Sequence, residues 1–192
     1  MQSSHAFPCS DGGRLHDAIA FATRAHKGQV RKGSDLDYIC HPLEVLQILT
    51  ALGADLNLLI AGVLHDAVED TPVTLPEIEA RFGRDAASLV GHHSEDKSRT
   101  WRERKEHAIA ALQGSGLRQK KLALADKISN LRSIAADKQQ MGEQVWDRFN
   151  APRGQQEWYY QGIGAALSCL SQDPNAAPFF AEYISLYDEV FS

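Results

Sequence analysis

The chain has 192 residues, of which 43% are hydrophobic and 23% charged, a globular composition that excludes a disordered or fibrous protein. Its 25 acidic residues outnumber the 20 basic ones, for a formal net charge of −5, which argues against nucleic acid or an anionic membrane as the main partner. Cys9, Cys40 and Cys169 form no CxxC pair, so neither a zinc knuckle nor a disulfide framework is indicated.

The first residues, 1–13, carry no apolar run of signal-peptide length. The longest apolar stretch, 58–64, is seven residues, far short of the ~20 needed to cross a bilayer. The expectation is a cytoplasmic chain with reduced thiols, no membrane contact and one domain over 1–192. Its core is placed at about 14–170, with a packing helix at about 176–191.

Helical periodicity runs nearly throughout, and no stretch alternates like a strand. Residues 14–26 carry Leu15, Ile19, Ala22 and Ala25 on one stripe. Residues 27–40 are polar and Gly-containing and read as a loop. His41-Pro42 opens a helix with Pro at its first position, ending near Leu52 and Gly53. Asp55 is a plausible N-cap for a helix to about Asp70, stopped by Thr71-Pro72. Thr74 caps a short helix over 75–82, ended by Gly83. Further helices are predicted at 85–92, 101–112, 118–136, 155–170 and 179–191. The fold class is all-α.

Chemistry concentrates in 56–70. This segment begins apolar on nearly all sides, as a buried helix does. It then presents His65, Asp66, Glu69 and Asp70. On a continuous helix His65 lies over Glu69 and Asp66 over Asp70. Three crowded acids at a buried helix end require a positive partner, and a metal ion meets that need. Solvated acids at the helix end are the competing reading, but acids there oppose the helix dipole. Asp126 sits inside the apolar run 121–131, with Asn130 one turn later; an ion pair within the core is its alternative. His41 is a third candidate ligand, or an ordinary N-cap histidine. A mixed imidazole–carboxylate set suits Mn, Fe or Zn better than Ca or Mg.

Two basic groups stand out. Lys27, Arg31 and Lys32 precede His41, and Lys97, Arg99, Arg102, Arg104 and Lys105 form a second group. Near a metal, such groups suit a small polyanion such as a nucleotide phosphate. For Arg102 and Arg104, pairing with Glu103 and Glu106 along a helix face is the simpler account.

The ordered set His41-Pro42, His65-Asp66, Glu69-Asp70-Thr71 and Ala125-Asp126-Lys127 with Asn130 resembles the HD-domain metallophosphohydrolases. More narrowly, it is similar to the hydrolase domain of RelA/SpoT-type alarmone enzymes and to small single-domain alarmone hydrolases. Arg31-Lys32, Phe82-Gly83, the 94–97 stretch, 103–105 and 158–160 support the likeness, which covers residues 15 to about 164.

The resemblance implies an HD-type bundle of roughly eight to ten helices and a stand-alone (p)ppGpp 3′-pyrophosphohydrolase, giving GDP or GTP and pyrophosphate. It implies His41, His65, Asp66 and Asp126 as ligands of one divalent metal, usually Mn2+, with Fe, Co or Zn as alternatives. It implies Glu69 and Asp70 as the acid pair that positions and deprotonates water. It implies Arg31, Lys32 and Asn130 as contacts to a guanosine polyphosphate, with Lys97, Arg153 and Tyr159 as further pocket positions. A homodimer is allowed. Another nucleotide substrate, with loss of the NADPH 2′-phosphate as the nearest case, is the alternative reaction.

This chain departs from the pattern at Asp37, where Pro is frequent, and at Ala67, where Thr is common. It departs again at His92-His93, where apolar residues are usual.

Overall fold

The computed structural model describes residues 11–93 and 98–192. Its helices are α1 (Asp11–Ala25), α2 (Cys40–Ala51), α3 (Leu56–Leu64), the single turn α4 (Ala67–Asp70), α5 (Leu75–Phe82) and α6 (Arg84–His93). They continue as α7 (Trp101–Gln113), α8 (Leu117–Met141), α9 (Arg153–Leu167) and α10 (Ala177–Phe191), with 3-10 segments at Gly142–Arg148 and Ser168–Gln172. Among the described residues the extended pairing is limited to one isolated bridge, Val30 to Asp37. The molecule is the all-α bundle that the periodicity predicts.

Two helices form the centre. α3 buries Leu58, Ile60, Ala61, Gly62, Val63 and Leu64 and packs against α1, α2, α6 and α8. Asp55 starts it, its Oδ1 accepting from the backbone N–H groups of Asn57 and Leu58 at 3.1 Å. Gly62 lets α2 approach closely, because a Cβ there would strike the Leu49 Cδ1 methyl. α8 buries Leu122, Leu124, Ile128, Leu131 and Ile134 on the same continuous core, and it packs against α2, α3, α6 and α10. α7 lies against α9, with Thr100 and Glu103 forming a capping box at its start.

Three local expectations are corrected. The helix predicted over 55–70 ends at Leu64, and a separate turn, α4, follows. Successive residues of a straight helix point about 100° apart, so His65 and Asp66 could not both face one point. The chain turns at His65 and Asp66, with Asp66 at φ −94° and ψ −7°, and both side chains reach the same centre. α2 begins at Cys40 rather than His41, which leaves Pro42 within the first turn, where its missing N–H still costs nothing. The helix predicted over 155–170 ends at Leu167 and tightens into a 3-10 segment. Among the described residues no helix is long and apolar enough to cross a membrane.

Candidate metal centre

Three elements converge at the centre: the start of α2 with His41, the break after α3 with His65 and Asp66, and the middle of α8 with Asp126. His41, His65 and Asp126 are 2%, 1% and 3% exposed, so whatever satisfies their polar atoms must lie inside the protein.

The protons can be placed. His65 Nδ1 faces the Gly62 carbonyl at 2.8 Å. A carbonyl only accepts, so Nδ1 carries a proton and Nε2 is the nitrogen that offers a lone pair to a metal when the ring is neutral. His41 Nδ1 lies 2.8 Å from the Ser129 hydroxyl, whose own proton is given to Glu44 Oε2 at 2.7 Å. His41 Nδ1–H therefore donates, and its Nε2 offers a lone pair in the same way. These two nitrogens stand 3.2 Å apart.

Two carboxylates complete the set. Asp66 Oδ2 is 3.0 Å from His65 Nε2 and 3.4 Å from His41 Nε2. Asp126 Oδ1 is 3.3 Å from His41 Nε2 and 3.8 Å from His65 Nε2. Four lone pairs thus face one another. Donors held about 2.1 Å from a common ion lie about 3.0 Å apart at right angles and about 3.4 Å apart in a tetrahedron. The observed separations bracket those values, so one divalent ion fits among His41, His65 and Asp126, with Asp66 Oδ2 against both imidazole nitrogens. His41, His65 and Asp126 form one group able to hold a metal ion, and His65, Asp66 and His93 form a second.

The electrostatics agree with a cation there. Burial pushes the His65 imidazole down, but the Asp66 carboxylate, helped by Asp126, outweighs it and lifts the group to about 9. Burial pushes both acids up. Even so, His65 and His41 hold Asp66 well below the usual carboxylate range, and Lys127, with His41 and His93, does so for Asp126. Lys127 is the mirror case, with burial outweighed by the Asp126 carboxylate 2.7 Å away.

Around the donors sits a supporting layer. The Tyr38 hydroxyl donates to Asp66 Oδ2 at 2.6 Å, and burial with Asp66 raises its pKa far above the usual phenol value. Asn130 Nδ2 donates to Asp126 Oδ1 at 2.6 Å. Arg31 reaches α8, where its guanidinium donates to the Ser129 carbonyl at 3.0 Å and to Asn130 Oδ1 at 3.4 Å.

The centre opens into a cavity of about 630 Å³, within the range of small-molecule sites. Arg31, Lys32, Arg104, Lys105, Lys127 and Arg148 bring positive charge to its wall, and Trp101, Phe149 and Tyr159 bring aromatic surface. A smaller cavity of about 210 Å³ continues from the same centre between α6, α7, α8 and α9, past Leu89, Ala108, Leu112, Leu122 and Ile163.

The expected residues are distributed as follows. Glu69 lines both cavities and Asp70 the larger one, where Arg31 and Lys32 also lie. Asn130 and Tyr159 line both. Lys97 lies outside the described residues. Arg153 is a correction: it faces the chain end, donating to the Phe191 carbonyl and lying 3.7 Å from Glu143, and it lines neither cavity. The helix-face account of the second basic group holds for Arg102, which pairs with Glu106 at 2.8 Å over the Trp158 ring. Arg104 and Lys105 line the cavity, on the side of α7 that packs toward α9.

Tyr38, Ser129, Lys127 and His93 were not singled out as site residues by the sequence. Tyr38 stands three residues before His41, in the loop of the basic cluster, which is a usable signal. Ser129 had none.

Comparison with known proteins agrees with this geometry. The HD domain family model matches residues 18–154. The human guanosine-3′,5′-bis(diphosphate) 3′-pyrophosphohydrolase MESH1 is 40% identical over 128 residues, covering 65% of this chain and 72% of that protein. The bifunctional (p)ppGpp synthase/hydrolase SpoT of Escherichia coli is 33% identical over 129 residues, 64% of this chain but 18% of its own length. The crystal structure of lmo0812 from Listeria monocytogenes superposes with a TM-score of 0.72 at 40% identity, over 79% of this chain and 98% of that one. A metazoan SpoT ortholog that hydrolyzes ppGpp superposes with a TM-score of 0.75 at 26% identity, over 96% and 97% of the two chains. A family model over residues 18–154, and relatives about 40% identical over 128 residues, place the chain: it belongs to the HD-domain family, in the group that holds the (p)ppGpp hydrolases.

Proposed function

We propose that this chain hydrolyses the 3′-diphosphate of (p)ppGpp, releasing pyrophosphate and leaving GDP or GTP. The observation that carries the reading is the convergence of donor atoms from His41, His65, Asp66 and Asp126 beside two cavities that meet at His41, the larger of them lined by cations. Its single-core architecture supports one domain. A diffusible nucleotide substrate supports a cytoplasmic site of action.

A divalent ion bound by those four side chains, Mn2+ in this proposal, would polarise a phosphate oxygen and acidify a water. The remaining work falls to the protein. Arg31, Lys32, Lys105 and Arg148 bind the phosphates and offset charge that grows on them during displacement. Glu69, at the junction of the two cavities, accepts the proton of the attacking water, with Asp70 beside it. Tyr38 holds Asp66 Oδ2 and Asn130 holds Asp126 Oδ1, so neither carboxylate can swing away. Water adds to the phosphorus attached to the ribose 3′ oxygen, that P–O bond breaks, and the oxygen leaves as a hydroxyl after taking up a proton.

The test is anion-exchange chromatography of ppGpp incubated with purified protein and Mn2+ or EDTA, beside Asp66→Ala, with NADPH as a parallel substrate. GDP and pyrophosphate formed only by the metal-supplied wild type are the expected result. Turnover of NADPH alone, or of neither substrate by metal-loaded protein, would overturn the alarmone assignment.

A further inference from the structure

His93 has no part in the mechanism above, yet it stands at the metal centre. It is the last residue of α6, and α6 packs on both α3 and α8, the helices that bring His65 and Asp126. Its Nε2 lies 3.1 Å from Asp126 Oδ2, and its ring stands edge-on to that of His65 with centroids 5.1 Å apart. Donor atoms of His65, Asp66 and His93 all lie within 4.8 Å of one another. Donors on opposite sides of one ion are about 4.2 Å apart when each is bound at about 2.1 Å. His93 Nε2 therefore stands within reach of an ion held by His65 and Asp66.

The position has no packing rationale. The side chain is 17% exposed and lies among the His65 imidazole and the Asp66 and Asp126 carboxylates. An imidazole there costs desolvation that an apolar residue would not. A hydrogen bond to Asp126 Oδ2 recovers part of it, but that oxygen already accepts from Lys127 at 2.7 Å.

We propose that His93 is a fifth protein donor to the divalent ion of this site, which makes the set three imidazoles and two carboxylates. The inference rests on the metal-site reading above. Two consequences follow. A six-coordinate ion keeps one position open instead of two. The third imidazole also moves the metal preference away from Mn2+ and toward Zn2+, Ni2+ or Fe2+, which imidazole suits better than carboxylate does.

The experiment is X-ray absorption spectroscopy of the zinc-loaded wild type and of His93→Gln, with metal stoichiometry and chelator competition for Zn2+ and Mn2+. Glutamine keeps an N–H donor for Asp126 but is a poor ligand, so it separates ligation from hydrogen bonding. Expected are one ion per chain, three imidazoles in the wild type and two in the variant. Zn2+ affinity should fall more than about 10-fold, with a smaller loss for Mn2+. Two imidazoles in the wild type, a second ion per chain, or full retention of Zn2+ affinity by His93→Gln would overturn the fifth ligand while leaving the metal site standing. Failure of the wild type to bind any divalent metal would overturn both readings together.

Discussion

Without metal, the protein should lose stability as the pH rises from about 6.5 to 9. His65 is lifted from the 6.5 of an ordinary imidazole to about 9 by Asp66 and Asp126, against the opposing effect of burial. Between those values the folded chain holds a proton that the unfolded chain has released. Stability therefore falls with rising pH. The contribution is fully present below about 6.5 and is gone above about 9. At 1.36 kcal/mol per decade of acidity, it amounts to at most about 3 kcal/mol. That is a large share of the ~5–15 kcal/mol that holds a domain of this size together.

The assay is urea unfolding of chelator-treated protein at pH 6.5 and pH 9.5, for wild type and His65→Gln. The variant removes the proton-binding group and keeps a donor for the Gly62 carbonyl. The wild type should lose most of the ~3 kcal/mol and the variant should lose much less. Equal slopes for the two proteins, or stability that rises with pH, would refute the account of the His65–Asp66 pair. Metal should compensate, since metal and proton compete for the same Nε2. At 100 times its dissociation constant a ligand adds about 2.7 kcal/mol, close to what deprotonation removes. The loaded protein should then vary little across the same window.

Ser129→Ala removes the hydroxyl that holds His41 Nδ1 and Glu44 in a site with no solvent exposure. It should cost about 1–3 kcal/mol by denaturant unfolding and weaken metal binding about 10–100-fold by chelator competition; an unchanged metal affinity would show that Ser129 does not orient the ring. Glu69→Gln should lower kcat by at least about 100-fold with metal content unchanged, and loss of metal instead would make Glu69 a ligand. Gly62→Ala forces a methyl against Leu49 and should lower stability by about 1–3 kcal/mol, read as a shifted urea midpoint at an unchanged slope.

Asp126 and the group at 65–70 were legible as candidates because the cost of each is local. An acid in the apolar run 121–131, or four ionisable groups closing the apolar run 56–64, is expensive wherever the chain goes, and that expense shows in the sequence itself. The helix ends were legible for a similar reason: Asp55 and Gly83 satisfy or terminate hydrogen bonds within a few residues of themselves. The break after Leu64 was not legible. Residues 56–68 favour helix throughout, and the turn at His65 and Asp66 has no local sequence signal.

The supporting residues follow the same division. Ser129 is an unremarkable small polar residue until α2 places His41 and Glu44 beside it, 88 and 85 positions earlier in the chain. Arg104 read as half of a helix-face ion pair because i to i+4 neighbours are the contacts a sequence displays, whereas its place on the side of α7 that packs toward α9 is a long-range contact that a sequence does not display. His93 lies between these cases. It was visible as an imidazole where an apolar residue is usual, but nothing local says what it is for, since the charge it answers is carried by α8, 33 residues later. A sequence thus exposes a buried charge that lacks a partner, and packing of distant helices supplies the partner. His93 shows the test that follows from this: a polar residue in an apolar position is informative once the structure shows which unsatisfied group it meets, and here that group is the lone-pair cluster around Asp126.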